Sequence, residues 1–426
     1  MFNWKDKIRF KGDKVLWYVI IGLMIASVMV VYSSTGRLAY RVKDGNTSFY
    51  LMKQLFLMAG CFVVILGLQS VHYKYLFKFS KVILGMAFVF LLWAKFAGTN
   101  LNDADRWITI PLIGFTFQPS ELAKIGIILY TARIITYYQT ERNCSDEALK
   151  SVLLYVGPVI FMIFMDNFST SLLMGLICMT MLFVGRLRLK LMAMSVGALI
   201  GVVGMILVLA FTVPQFEKVG RVATIKGRVT EFFAGGQREG YSYQSDQAKI
   251  AVAKGGFLGV GPGNSEQRNF LPHPYSDFIF AIIIEEYGLI GGGVMLLLYL
   301  TVLFRVGVIV RRCTRTFPAL LVTGLGLSIV FQAFVNMGVC VGVFPVTGQP
   351  LPLVSMGGTS LLFTSAALGM ILSVSHTFME GEEVPADGAE GEEEEESEGE
   401  EEEESEAETG EEVPGVEREE NERYYS

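Results

Sequence analysis

The sequence predicts an all-α integral membrane protein: about ten transmembrane helices, one large outer loop and a disordered acidic C-terminal tail. Two observations carry this. Just over half of the chain is apolar, 52% of 426 residues, too much for an ordinary soluble protein of that length. Its apolar residues also gather into runs of about 20 with few charges, long enough to cross a hydrocarbon layer of roughly 30 Å as helices.

Ten such runs are visible, at 15–35, 50–70, 79–97, 119–137, 151–165, 169–185, 191–213, 277–303, 319–343 and 353–375. The fifth and sixth are short and divided only by Asp166-Asn167, so a re-entrant hairpin would account for them equally well. The first follows a charged start, Lys5 to Lys14, without a small-residue cleavage site, and reads as an uncleaved signal anchor. The organisation is then a cytoplasmic N-terminus (1–14), a membrane domain (15–376) with an extracytoplasmic loop at 214–276, and a tail (377–426).

The net charge of −7 conceals two different objects. From Glu380 the tail holds 24 Asp and Glu against Arg418 and Arg423, so the membrane body is basic. So charged a tail cannot bury a core. It reads as a solvated segment, or as a docking strand for a basic cytoplasmic partner. Basic residues also set the orientation, because cytoplasmic loops are enriched in Lys and Arg. With both termini inside, the inner loops hold Lys74, Lys78 and Lys81, then Arg142 and Lys150, then Arg186, Arg188 and Lys190, then Arg305, Arg311, Arg312 and Arg315. Arg37, Arg41 and Lys43 run against this pattern. None of the five cysteines falls in a predicted outer loop, so no structural disulfide is expected.

The 214–276 loop is net basic although it lies outside, which suits phosphate binding. Ser245 to Lys254 can form a short helix ending at Gly255-Gly256. The glycine-rich run 256–264 lacks the Gly-Lys-Ser/Thr ending of a nucleotide loop and reads as a tight, close-packed turn.

Asp277 opens the eighth run. A carboxylate there could merely cap the helix, or it could be a reactive group at the membrane surface. Glu285 and Glu286 follow two turns on, about 12 Å deeper along a continuous helix. Charges at that depth are usually paired or line a polar cavity. Glu121 and Lys124 open the fourth run at a spacing that lets them pair. Arg106 adjoins Trp107 at the outer interface, and Asp103-Ala-Asp105 is a weak metal-binding pattern. His72, His273 and His376 are scattered and form no metal set or nucleophile triad.

Four blocks resemble the SEDS family of cell-wall polymerases, the FtsW/RodA proteins. They are Ala104-Asp-Arg-Trp-Ile with Phe117-Gln-Pro-Ser-Glu-Leu-Ala-Lys124; Tyr243 to Ser265; Leu271-Pro272 with Asp277 to Gly288; and Pro345 to Ser360. The match covers about 15–376 in the family's order, and is most like FtsW. It implies a glycosyltransferase that joins lipid II into β-1,4 glycan strands on the outer face of the bacterial cytoplasmic membrane during division. Asp277 takes the position of the family's essential carboxylate and would be the general base. Glu121 and Lys124 match its paired Glu and Lys, and Glu285 and Glu286 its two glutamates.

Gln118, Tyr243, Gln244 and Ser355 fall inside the matched blocks as supporting residues, and Arg106, Lys124, Arg228 and Lys249 are candidate cations for the pyrophosphate leaving group. No certain cofactor is implied; a divalent cation, Mg or Mn, could do the same work, although no ligand set is legible. Implied partners are lipid II, the undecaprenyl-pyrophosphate-linked glycan, a class B penicillin-binding transpeptidase, other division proteins and membrane lipids, with no nucleic acid. The chain departs from the family in reading Tyr275-Ser276-Asp277, with His273 earlier, where many relatives have His-Thr-Asp. A lipid II flippase, an elongation-type RodA polymerase and a non-catalytic scaffold are the alternatives.

Overall fold

The computed structural model describes residues 10–36, 47–97, 108–110, 115–140, 143–212, 227, 241–272 and 274–379. In chain order the helices are α1 (Lys14–Ser34), α2 (Thr47–Leu68), α3 (Tyr73–Ala97), α4 (Pro119–Tyr137), α5 (Asp146–Tyr155), α6 (Gly157–Asp166), α7 (Phe168–Val184), α8 (Leu189–Thr212), α9 (Tyr241–Gly255), α10 (Ile279–Arg312), α11 (Thr316–Cys340) and α12 (Gly358–Met379). Each of the ten predicted runs falls on a helix or, for the fifth, on α5 and α6. Among the described residues six helices are long and apolar enough to cross a membrane, and α5 with α6, bent by 44°, make a seventh if they form one span. Of the other three runs, α4 carries Glu121, Lys124 and Arg133, α7 has 17 residues, and α8 is a 24-residue apolar helix.

One element departs from the all-helical expectation. Ile108–Ile110 (β1) and Phe115–Phe117 (β2) form an antiparallel hairpin, Ile108 opposite Phe117. Ile-Thr-Ile and Phe-Thr-Phe alternate with period two and are β-branched or aromatic, which suits a strand better than a helix. The acidic tail from Glu380 and, in the 214–276 loop, residues 214–226, 228–240 and 273 lie outside the described residues.

Two anchors at the ends of α1 set the direction of the bundle. At its start, Asp13 accepts a hydrogen bond from Leu16 N (2.8 Å) and pairs with Arg305 of α10, whose Nε lies 2.9 Å from the carboxylate. At its finish, the Ser33 hydroxyl donates to Glu286 of α10. The helices are therefore antiparallel. The Asp13 end also holds Lys11, the start of α3, the close of α4 at Arg133 and the last turns of α12, where Gly12 meets Leu372 and His376. The Ser33 end holds the start of α4, the close of α11 and Asp277.

α10 is not continuous. Gly288 adopts φ +68° and ψ −170°, splitting off a buried segment, Ile279 to Tyr287, from the long remainder. The break is packed backbone to backbone against the glycine-rich run, whose amides are used internally: Val260 N and Gly261 N donate to Glu285 O (2.9 Å) and Glu286 O (3.0 Å). The run is thus the close-packed turn its sequence suggests. A Cβ at Gly255 would lie 2.0 Å from Ile284 O, and one at Gly259, itself at φ +82°, 2.2 Å from Glu286 O. Gly255→Ala is therefore expected to cost at least about 1–3 kcal/mol of stability by overpacking. Gly293→Ala, on an open face of α10 with no heavy atom within 4 Å, should cost nothing. Thermal unfolding midpoints of the two variants in detergent check this.

Candidate functional site

Asp277 sits just before the buried half of α10. The N-cap position itself is taken by Phe278, whose side chain makes no cap bond. What is tied down is the main chain around it. Asn336 Nδ2 donates to Asp277 O at 2.8 Å, the Ser355 hydroxyl to Ser276 O at 2.6 Å, and Met356 N to Tyr275 O at 2.9 Å. On the side chain, the Ser276 hydroxyl donates to Asp277 Oδ1 at 2.8 Å. Asp277 is half-buried, and its other oxygen faces Gly348, where an added Cβ would lie 3.6 Å away. Burial, then Tyr50 and Asp277 nearby, push the Tyr275 phenol above its ordinary value, so it stays protonated.

The segment 345–356 descends into the bundle between α11 and α12. It is held at successive levels: Gln349 O by Asn336 (2.8 Å), Pro350 O by Gln332 (2.9 Å), Pro352 O by Tyr299 (2.5 Å) and Val354 O by Ser27 (2.7 Å). Leu353, a buried non-glycine at φ +62°, marks local strain in this loop. Buried carbonyls need donors, and here they come from polar residues placed inside otherwise apolar helices.

Through Gln332 the Glu121–Lys124 pair is tied to this loop. Pro119 at the first turn of α4 fits a helix start. One turn of α4 brings Lys124 Nζ 2.9 Å from Glu121, with both side chains about nine-tenths buried. Lys124 also donates to Gln332 Oε1 at 3.0 Å, and Gln332 holds Pro350. The cavity beside the pair, lined by Ile128, Ile329 and Phe363 among others, is only about 30 Å³. That is room for ordered water beside the pair.

Glu285 and Glu286 lie on the unbroken first stretch of α10, ahead of the break at Gly288. Glu286 meets Ser33, the penultimate residue of α1. Glu285 Oε1 accepts from Glu266 N (3.0 Å) and Gln267 N (3.2 Å), and its other oxygen from the Ser265 hydroxyl. Arg268 donates to Ser33 O at 2.8 Å. The two carboxylates therefore latch the 263–268 turn onto α1 and α10.

On α9, Ala248 and Ala251 are buried while Lys249 is about half exposed, 3.7 Å from Asp246 and against Gly342 just past α11. Tyr243 is exposed and Gln244 half-buried on the same helix. Gln118 stands at the N-cap of α4 without a side-chain cap bond. Arg106 and Arg228 lie outside the described residues, as do His273, Asp103 and Asp105. Among the described residues no cluster of three or more His, Cys, Asp or Glu could hold a metal ion. Sequence reading passed over Gln332 and Asn336, although two carboxamides four residues apart in an apolar span were a legible signal.

A helical, multi-pass membrane protein with a charged, hydrogen-bonded site at one end of its bundle, built on a broken helix and a descending loop, is the class these features define. A family model described as cell cycle protein, FtsW/RodA/SpoVE, matches residues 13–380. The chain belongs to that family. It is 28% identical to a protein of Aliivibrio salmonicida (strain LFI1238) named probable peptidoglycan glycosyltransferase FtsW, over 88% of this chain and 91% of that one. It is 32% identical to a protein of the same name from Saccharophagus degradans, over 84% and 90%.

Among solved structures it is similar to the rod shape determining protein RodA of Thermus thermophilus, with 22% identity, a TM-score of 0.61, and 86% and 97% of the two chains covered. It is also similar to a chain from a peptidoglycan synthase complex studied for its coordination of polymerization and crosslinking, with 23% identity, a TM-score of 0.67, and 86% and 98% covered. At these identities the two structures establish a shared fold.

Proposed function

We propose that the protein is a peptidoglycan glycosyltransferase of the division type that polymerises lipid II, with Asp277 as general base. The single observation that carries the reading is the half-buried Asp277 carboxylate at the bundle end, on a main chain anchored by three hydrogen bonds. The nucleophile is a sugar hydroxyl, the 4-hydroxyl of the acceptor N-acetylglucosamine. A base within hydrogen-bond reach speeds its attack by about 10²–10⁴-fold. The new bond joins that oxygen to the anomeric carbon of the donor N-acetylmuramic acid. The bond to the lipid pyrophosphate breaks, and the proton passes to Asp277. Inversion at that carbon gives the β-1,4 link.

The leaving pyrophosphate gains charge that a cation offsets. Lys124 is engaged by Glu121 and Gln332, so among the described cations Lys249 is better disposed for this. Arg106 and Arg228 are further candidates on sequence grounds, as is a divalent cation, Mg or Mn. The excess of basic residues at the end of the bundle holding Arg305, Arg311, Arg312 and Arg315 supports a cytoplasmic position for that end and an outer one for Asp277. The naming of relatives as FtsW supports a septal role in the bacterial inner membrane, and the synthase complex supports a class B transpeptidase as partner.

The test supplies labelled lipid II to the purified protein with its transpeptidase and resolves the products on a gel. Long strands that vanish with Asp277→Ala support the reading. Transbilayer movement of labelled lipid II without polymer would instead identify a flippase.

A further inference from the structure

We propose that Asn336 is a positioning residue for Asp277, holding its main chain and the descending loop in one fixed relation. The inference rests on the reading of Asp277 as the base. Asn336 lies in α11, 1% exposed, and its Nδ2 serves two acceptors from different segments: Asp277 O and Gln349 O, each at 2.8 Å. Among the described residues it is the side-chain amide that joins the 275–277 turn to the loop facing it. Gln349 continues the chain by donating to Thr170 of α7 at 3.0 Å.

The orientation of the carboxamide is fixed by chemistry. Turned over, it would set its own oxygen against two carbonyl oxygens. The unused oxygen, Asn336 Oδ1, is buried without a hydrogen-bond partner among the described residues. A buried acceptor left unpaired costs stability. A residue selected for packing alone would be apolar here, as its neighbours Ala333, Met337 and Cys340 are. The donor half is therefore what the site uses.

Gln332, one turn earlier, serves as an internal comparison. It holds the same loop at Pro350 and reaches Lys124, but its hydrogen bonds do not touch the 275–277 turn. Loss of loop anchoring alone should look like Gln332→Met. Loss of positioning should appear only at Asn336. A base displaced by a fraction of an ångström loses the near-attack geometry that makes it effective.

The experiment uses the full chain with its transpeptidase and labelled lipid II. It measures initial rates against substrate, binding sites per protein for a fluorescent lipid II, and the melting midpoint. Asn336→Ala is expected to lower kcat per binding-competent site about 10- to 100-fold with KM within about twofold. Asn336→Asp is nearly isosteric but has no donor when ionised, and should give the same loss. Gln332→Met should lower the melting midpoint comparably with kcat within about threefold.

Unchanged kcat in Asn336→Ala overturns the proposal, as does a fall accounted for entirely by fewer binding sites. If neither Asn336 variant folds, Asn336→Thr, with one donor and no large cavity, must show the same kcat-specific loss for the proposal to stand. Asp277→Ala is run alongside. If it polymerises normally, the general-base reading fails and the positioning role fails with it. If Asp277→Ala is inactive while the Asn336 variants match wild type, only the positioning role fails.

Discussion

Asp277→Ala is expected to lower the rate of strand synthesis by about 10²–10⁴-fold while leaving the protein folded and able to bind lipid II. The reason is an asymmetry in how the residue is held. Asn336 bonds to its main chain, Ser355 and Met356 to the main chain of the two residues before it, and all three ties survive removal of the carboxylate. On the side chain, the hydrogen bond from the Ser276 hydroxyl is lost. The melting midpoint should therefore move little.

Asp277→Asn should be as inactive as alanine, because an amide of the same shape cannot take the proton. Asp277→Glu should retain part of the activity, since it keeps the base and shifts it by one methylene. Initial rates with labelled lipid II, with binding measured separately, decide this. A variant lacking the carboxylate that works within tenfold of wild type would remove Asp277 from the chemistry.

The features that were legible in the sequence are those set by local composition. Twenty apolar residues in a row specify a span whatever surrounds them, and each of the ten runs meets helix. The Glu121–Lys124 pair was legible because a three-residue spacing on a helix fixes it. The break at Gly288 was not. Glycine is common within membrane helices, so nothing local distinguishes Gly288 from Gly291 or Gly293. Only the approach of Phe257 O, 2.2 Å from a Cβ at Gly288, shows why this glycine takes a positive φ. In the same way, Ser33 and Glu286 are 253 residues apart, and no periodicity joins them. The β-hairpin was missed because six residues of alternation are brief beside the long apolar runs around them.

The Glu121–Lys124 pair carries the second large expectation. A buried ion pair is a weak source of stability while intact, but breaking one leaves an uncompensated charge and costs about 3–5 kcal/mol. Both side chains are about nine-tenths buried, so this regime applies. Lys124→Met is expected to cost about that much, because the Glu121 carboxylate then faces Gln332 Oε1 and apolar neighbours such as Ile125 and Ile128. Glu121→Gln should cost less, since a carboxamide can still accept from Lys124.

Glu121→Leu combined with Lys124→Met separates fold from function. With neither charge present, the double variant should recover most of the stability lost in Lys124→Met. It should not recover activity. Without Lys124 the site loses a buried positive charge, which the Gln332 anchor on Pro350 does not replace. Melting midpoints and polymerisation rates of the three proteins, measured side by side, test the two halves independently. Rates that rise in step with stability would make the pair a scaffold element alone. Stability restored without activity would tie the Lys124 charge to the chemistry of the site.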